Sequence, residues 1–134
     1  MNTNKYRYVT CSKEPDCDIV FSFFAENLKI DLAIAKELVA NRLDFTENKN
    51  HYVLIDFTNV QQITLEAKNY MQTPEAGLKN ILGAALFASN PISVLMANIF
   101  LKAQTEFPKR FFTDKTEAHN WLTELENNTT FQKQ

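Results

Sequence analysis

Two near-continuous apolar runs constrain this chain more than any other feature: His51-Tyr52-Val53-Leu54-Ile55-Asp56-Phe57 and Ile81-Leu82-Gly83-Ala84-Ala85-Leu86-Phe87-Ala88. Runs of this kind read as strands covered on both faces, the interior of a sheet flanked by helices. The small residues in the second run mark a place where a helix can pack close. Tyr6 to Cys11 alternates aromatic or β-branched residues with polar ones, the period of a half-buried strand. After a turn at 12–16, Ile19 to Phe24 reads as a second strand that pairs back as a hairpin.

Helices fill the gaps between strands. Asp31 is placed to cap a helix to about Phe45, with Leu32, Ala35, Leu38, Val39 and Leu43 on one half of the wheel. Arg42 falls inside that apolar arc and reads as a long side chain that covers the core edge and snorkels outward. Thr64 caps a helix through Tyr70 or Met71, and Thr73-Pro74 starts a second, short helix. Pro91 opens an apolar helix to about Ala103, Lys109 to Thr113 is a short strand, and Asp114 caps a last helix. Ala118, Trp121, Leu122 and Leu125 give that last helix one apolar face. The alternation predicts a single α/β domain over residues 1–126: a mixed sheet of about five strands, an N-terminal hairpin and about four helices. Residues 127–134 read as a polar tail that frays.

Composition narrows the function classes. The chain has 134 residues, enough for an ordinary core without staples. Its 14 Lys+Arg against 16 Asp+Glu give a net charge of −2, so neither a nucleic acid nor an anionic membrane is indicated as partner. With only Gly77 and Gly83, no Gly-rich phosphate loop is present. Two cysteines, Cys11 and Cys17, read as reduced thiols. The uncharged stretch from Asn80 to Leu101 is broken by Ser89-Asn90-Pro91, so a strand, a turn and a buried helix explain it better than a transmembrane segment. Without an N-terminal apolar region to serve as a signal peptide, the expectation is a cytoplasmic protein.

Chemistry has few places to sit. His51 starts its strand, at the end away from the polar loops, and His119 lies off the apolar face of the last helix. No spacing suggests a metal site, a cofactor or a nucleophile with its base, so the reading is non-enzymatic. Asp56 at its strand end reads as a residue that fixes the following loop.

An ordered series of short motifs is more informative. Arg42-Leu43 is followed by Val53-Leu54-Ile55-Asp56-Phe57-Thr58-Asn59-Val60 and Glu66-Ala67-Lys68-Asn69-Tyr70, then Ala84-Ala85-Leu86-Phe87 and Ala97-Asn98-Ile99-Phe100-Leu101-Lys102. Phe107-Pro108-Lys109, Phe112-Thr113-Asp114 and Glu117-Ala118-His119-Asn120-Trp121-Leu122 complete it. The series resembles the small STAS/SpoIIAA-like proteins over roughly residues 17 to 125. The resemblance implies a STAS-type fold and a regulatory or protein-interaction role. Its best-studied members bind a kinase-like partner and are switched by phosphorylation of a serine at the start of the helix after the central strand. Laid on that pattern, the phosphoacceptor position carries Glu66 and the usual glycine is Ala67, so that switch does not carry over. Glu66 reads either as a favourable first-turn residue or as a fixed negative charge standing in for a phosphate.

Candidate partner- or ligand-binding residues are therefore Asp56, Thr58, Asn59, Thr64, Glu66, Lys68, Ser89 and Asn90, at strand ends and on the helix from 64. In the apolar helix, Ile92, Leu95 and Ile99 are expected to face the sheet, which leaves Val94, Ala97 and Leu101 as a candidate interface with a second copy or an unidentified protein partner. The alternative is a small-molecule or lipid carrier with a pocket under helix 91–103, lined by Leu95, Met96, Ile99 and Phe100.

Overall fold

A computed structural model describes residues 1–132, with side chains through Asn128. Twelve elements follow in chain order: β1 (Asn2–Lys5), β2 (Val9–Lys13), β3 (Ile19–Phe24), β4 (Leu28–Ile30), α1 (Leu32–Phe45), β5 (His51–Asp56), β6 (Val60–Ile63), α2 (Leu65–Met71), β7 (Ile81–Phe87), α3 (Pro91–Leu101), β8 (Lys109–Phe112) and α4 (Lys115–Gln132). The main sheet has six strands in the order β1-β2-β3-β5-β7-β8. The first three are antiparallel, and β3, β5, β7 and β8 run parallel to one another. β4 and β6 form a separate parallel pair that the sequence pattern does not announce.

The two apolar runs are the two interior strands, and they divide their side chains between two cores. Val53 of β5 and Ala84 and Leu86 of β7 point into a core shared with α1, α2 and α3. Tyr52, Leu54, Ala85 and Phe87 point to the other face, where Ala118 and Leu122 of α4 cover them. Gly83 explains the close fit there: a Cβ at that position would lie 2.6 Å from a Leu125 methyl and 3.0 Å from the Tyr52 ring. Gly77 serves a different close approach, because a Cβ there would run into the Met71 backbone.

Helix starts follow local chemistry. The Asp31 side chain accepts from the Ile34 N–H at 2.9 Å, Thr64 accepts from Ala67 N–H at 3.2 Å, and Asp114 accepts from Glu117 N–H at 3.0 Å. Asn90 and Ser93 form a reciprocal capping box at α3.

Three expectations need correction. The short helix from Thr73 is a run of turns over 74–80, and α4 continues through 127–132, where a fraying tail was expected; residues 133–134 lie outside the described residues. The third correction is the orientation of α3. Ser93 and Ala97 are fully buried and lie against the core, while Ile92 and Leu95 are 43% and 64% exposed. Ala97 is thus no interface residue, and Val94 and Leu101 are half-buried against the core. The physical reason is size. The line of small residues lets the helix seat closely on the sheet, and the large side chains flank it.

Candidate functional site

Every parallel strand of the main sheet points its carboxyl end toward one rim of the domain, and the loops there carry most of the polar candidates. Asp56 ends β5 with only 5% exposure. Its Oδ1 accepts from the Thr58 N–H at 2.9 Å and from the Thr58 hydroxyl at 2.5 Å. Its Oδ2 pairs with Lys115 Nζ at 2.7 Å. Thr58 Oγ1 lies 2.9 Å from Ser89 Oγ, and the Asn90 side chain donates to the Thr58 carbonyl at 3.0 Å. Asn59 donates back to the Phe24 carbonyl at 3.0 Å. Asp56, Thr58, Ser89 and Asn90 are therefore brought into one network that joins the ends of β5 and β7 to the start of α3.

Lys115, at the start of α4, is the member that sequence reasoning missed. Its ammonium also lies 5.5 Å and 5.2 Å from the Phe23 and Phe87 ring centroids. Replacing Asp56 by alanine leaves the Thr58 N–H without its acceptor and returns the half-exposed Lys115 ammonium to water, and is expected to cost about 2 kcal/mol, most of it from the loop bond. Asp56→Asn keeps an acceptor for Thr58 and should cost about half as much or less. Urea unfolding of both variants checks this; equal losses would show that the loop bond is not the main contribution.

Thr64, Glu66 and Lys68 sit apart on α2. Thr64 is spent as the cap, Glu66 is exposed in the first turn, and Lys68 is half-buried. The fold also leaves some apolar groups uncovered. Among the described residues the large exposed hydrophobics are Met1, Phe23, Leu65, Ile92 and Leu95. Phe23 is the last but one residue of β3, Leu65 opens α2, and Ile92 and Leu95 are in the first turns of α3. All but Met1 belong to the rim where the parallel strands end and the crossover helices begin.

The opposite rim, where β5, β7 and β8 start, is built differently. Arg42 near the end of α1 is 9% exposed, so it does not snorkel. One terminal nitrogen donates to His51 Nε2 at 2.9 Å and to the Lys79 carbonyl at 2.7 Å. The other donates to the Gly77 and Ala76 carbonyls at 3.1 and 3.3 Å. A guanidinium only donates, so His51 Nε2 must accept, and its Nδ1 carries the proton given to the Lys49 carbonyl at 2.8 Å. Burial, with the Arg42 charge beside it, pushes the His51 imidazole down to about 4. Burial likewise brings Arg42 down to about 10 and raises the Cys11 thiol to about 11, an inert thiol. Cys11 and Cys17 are both free. His119 stacks on Phe21 with centroids 5.5 Å apart, at a distance from either rim network.

Beneath α3 lies an internal void of about 90 Å³. Of the four residues expected to line it, only Phe100 does; the rest of the wall comes from the main sheet, Ile30 of β4, α1, the end of α2, the turn at 77–78 and the connection at 103–107. Among the described residues, no three His, Cys, Asp or Glu side chains are grouped to hold a metal, and no helix is long and apolar enough to cross a membrane.

This architecture defines a STAS-like α/β domain. An uncharacterized protein from Shewanella loihica PV-4, of the DUF3478 family with a SpoIIAA-like fold, superposes with a TM-score of 0.57 at 19% identity, covering 91% of this chain and 98% of that one. That likeness shows the fold. A family model described as a domain of unknown function, DUF7793, matches residues 14–126, and the chain belongs to that family. No curated protein matches it.

Proposed function

We propose that the chain is a non-enzymatic STAS-like interaction module that docks a protein partner, or a second copy of itself, at the carboxyl rim of its parallel strands. The observation that carries this reading is the placement of Phe23, Leu65, Ile92 and Leu95 at that one rim, with Glu66 beside Leu65 in the first turn of α2. Single exposed apolar residues are ordinary; several at one end of a small domain mark a contact surface. The network around Asp56 acts as the frame that holds β5, β7, α3 and α4 together under the surface. Glu66 in place of a phosphoacceptor makes the surface constitutive, with no phosphate switch at that position.

Because Leu95 is 64% exposed, Leu95→Glu is expected to change stability by less than about 0.5 kcal/mol. Partner binding should fall sharply. The check is photo-crosslinking in the source cells, with a benzophenone residue at position 92 and, as control, at position 37 on α1. A discrete adduct at 92 that disappears with Leu95→Glu supports the module. Absence of any position-specific adduct, together with a monomer by native mass spectrometry, would overturn it.

A further inference from the structure

Between the turns at 74–80 and the connection at 102–108, on the amino rim, an open groove lies against the void. Leu78, Ile81, Ala103, Thr105, Phe107 and Lys109 line both the void and the groove outside it, so the two adjoin along a wall of side chains. The deep wall is apolar, built from Leu38, Val53, Phe57 and Leu86. Size limits what can enter. A dry engineered void of ~150 Å³ accepts benzene. One of about 90 Å³ takes the end of a chain and no ring, so the rest of the molecule must lie in the groove.

Charge limits the other end. Two cations line the void, Arg42 and Lys109. All four terminal N–H groups of Arg42 are committed to His51 and three carbonyls, so it has none of them left for a ligand. Lys109 stands where void and groove meet. Its ammonium donates to the Phe100 carbonyl at 3.0 Å and to the Ala103 carbonyl, which leaves one of its three protons. The ion pair present among the described residues is Lys115–Asp56, so Lys109 has no carboxylate of its own. Glu106 also lines the groove and is exposed.

We infer that void and groove form one binding site for an unbranched fatty carboxylate, with its alkyl end beneath α3 and its carboxylate beside Lys109. Arg42 is a positioning residue for this site: by gripping the carbonyls of residues 76, 77 and 79 it fixes one side of the groove. The site lies at the end of the strands opposite the docking surface, and its occupancy does not depend on that reading.

The test is calorimetric titration of the full chain with sodium decanoate and with 1-decanol, the same chain without the charge. One-to-one saturable decanoate binding is expected. Lys109→Met should weaken decanoate at least about tenfold and change 1-decanol by no more than about twofold. Nuclear Overhauser contacts from the chain's terminal methyl should reach Leu38 and Val53 in the unaltered protein, a readout that needs no variant. Absence of saturable decanoate binding would overturn the site, as would contacts to Leu65 and Leu95 in their place. Equal weakening of both ligands by Lys109→Met, or no weakening of either, would overturn the assignment of the head group.

Discussion

Arg42→Met is expected to lower the stability of the domain by about 3 kcal/mol, although methionine fills much of the same space. The loss comes from what the guanidinium holds. It ties the end of α1 to the first residue of β5 and to the turns that lead into β7, through four donated bonds. Removing it leaves buried acceptors on Ala76 and His51 without a donor, and each such group costs about 1–3 kcal/mol. Part is recovered, because the Lys79 carbonyl can turn to water and a desolvated cation is no longer buried. Arg42→Lys is expected to recover little: an ammonium is a point donor and cannot span four acceptors set around a planar fork. Urea unfolding measures both, as a lower midpoint with an unchanged slope. A loss under about 1 kcal/mol for Arg42→Met would mean that the turns hold themselves in place.

The same clasp makes the domain acid-sensitive. His51 titrates near 6.5 when unfolded and at about 4 when folded, so between those values the unfolded chain binds the extra proton. Stability then rises with pH across that window. Its contribution is complete above pH 6.5 and is lost as pH falls through about 4, amounting to about 3 kcal/mol. At the atomic level the protonated ring has no lone pair for Arg42 and places a second positive charge against it. Because carboxylates also titrate at the acid end, the measurement is the difference between the unaltered protein and His51→Gln. Unfolding free energies at a series of pH values should converge as pH drops from 6.5 toward 4. Parallel curves for His51→Gln and the unaltered chain would remove His51 from the account.

Much of this is written in local sequence and some of it is not. β5 and β7 are legible because burial on both faces leaves an apolar run that few other structures explain. The caps Asp31, Thr64 and Asp114 are legible because their side chains bond within three residues. β4 and β6 are too short to show a period, and they form only because Leu28 and Val60 find each other across the chain. The orientation of α3 was hidden by a helix apolar nearly all round, where the deciding feature was the small size of Ser93 and Ala97 and not the hydrophobicity of their neighbours. Lys115 joins Asp56 through the topology of the sheet alone, and Arg42 finds carbonyls, which every residue carries and no pattern marks.

The sheet also acts as a partition. Side chains from β5 and β7 that meet α4 belong to one core, and those that meet α1, α2 and α3 belong to the other. The clasp and the proposed fatty-acid site engage the α1–α3 layer, whereas the proposed docking surface also takes in Phe23 on the α4 side, beneath Lys115 of the first turn of α4. The outward face of α4 beyond that turn is therefore the place to attach a fluorophore or a surface tether. A label there, at Asn120 or Glu124, reports on the domain through a full thickness of protein without touching either rim.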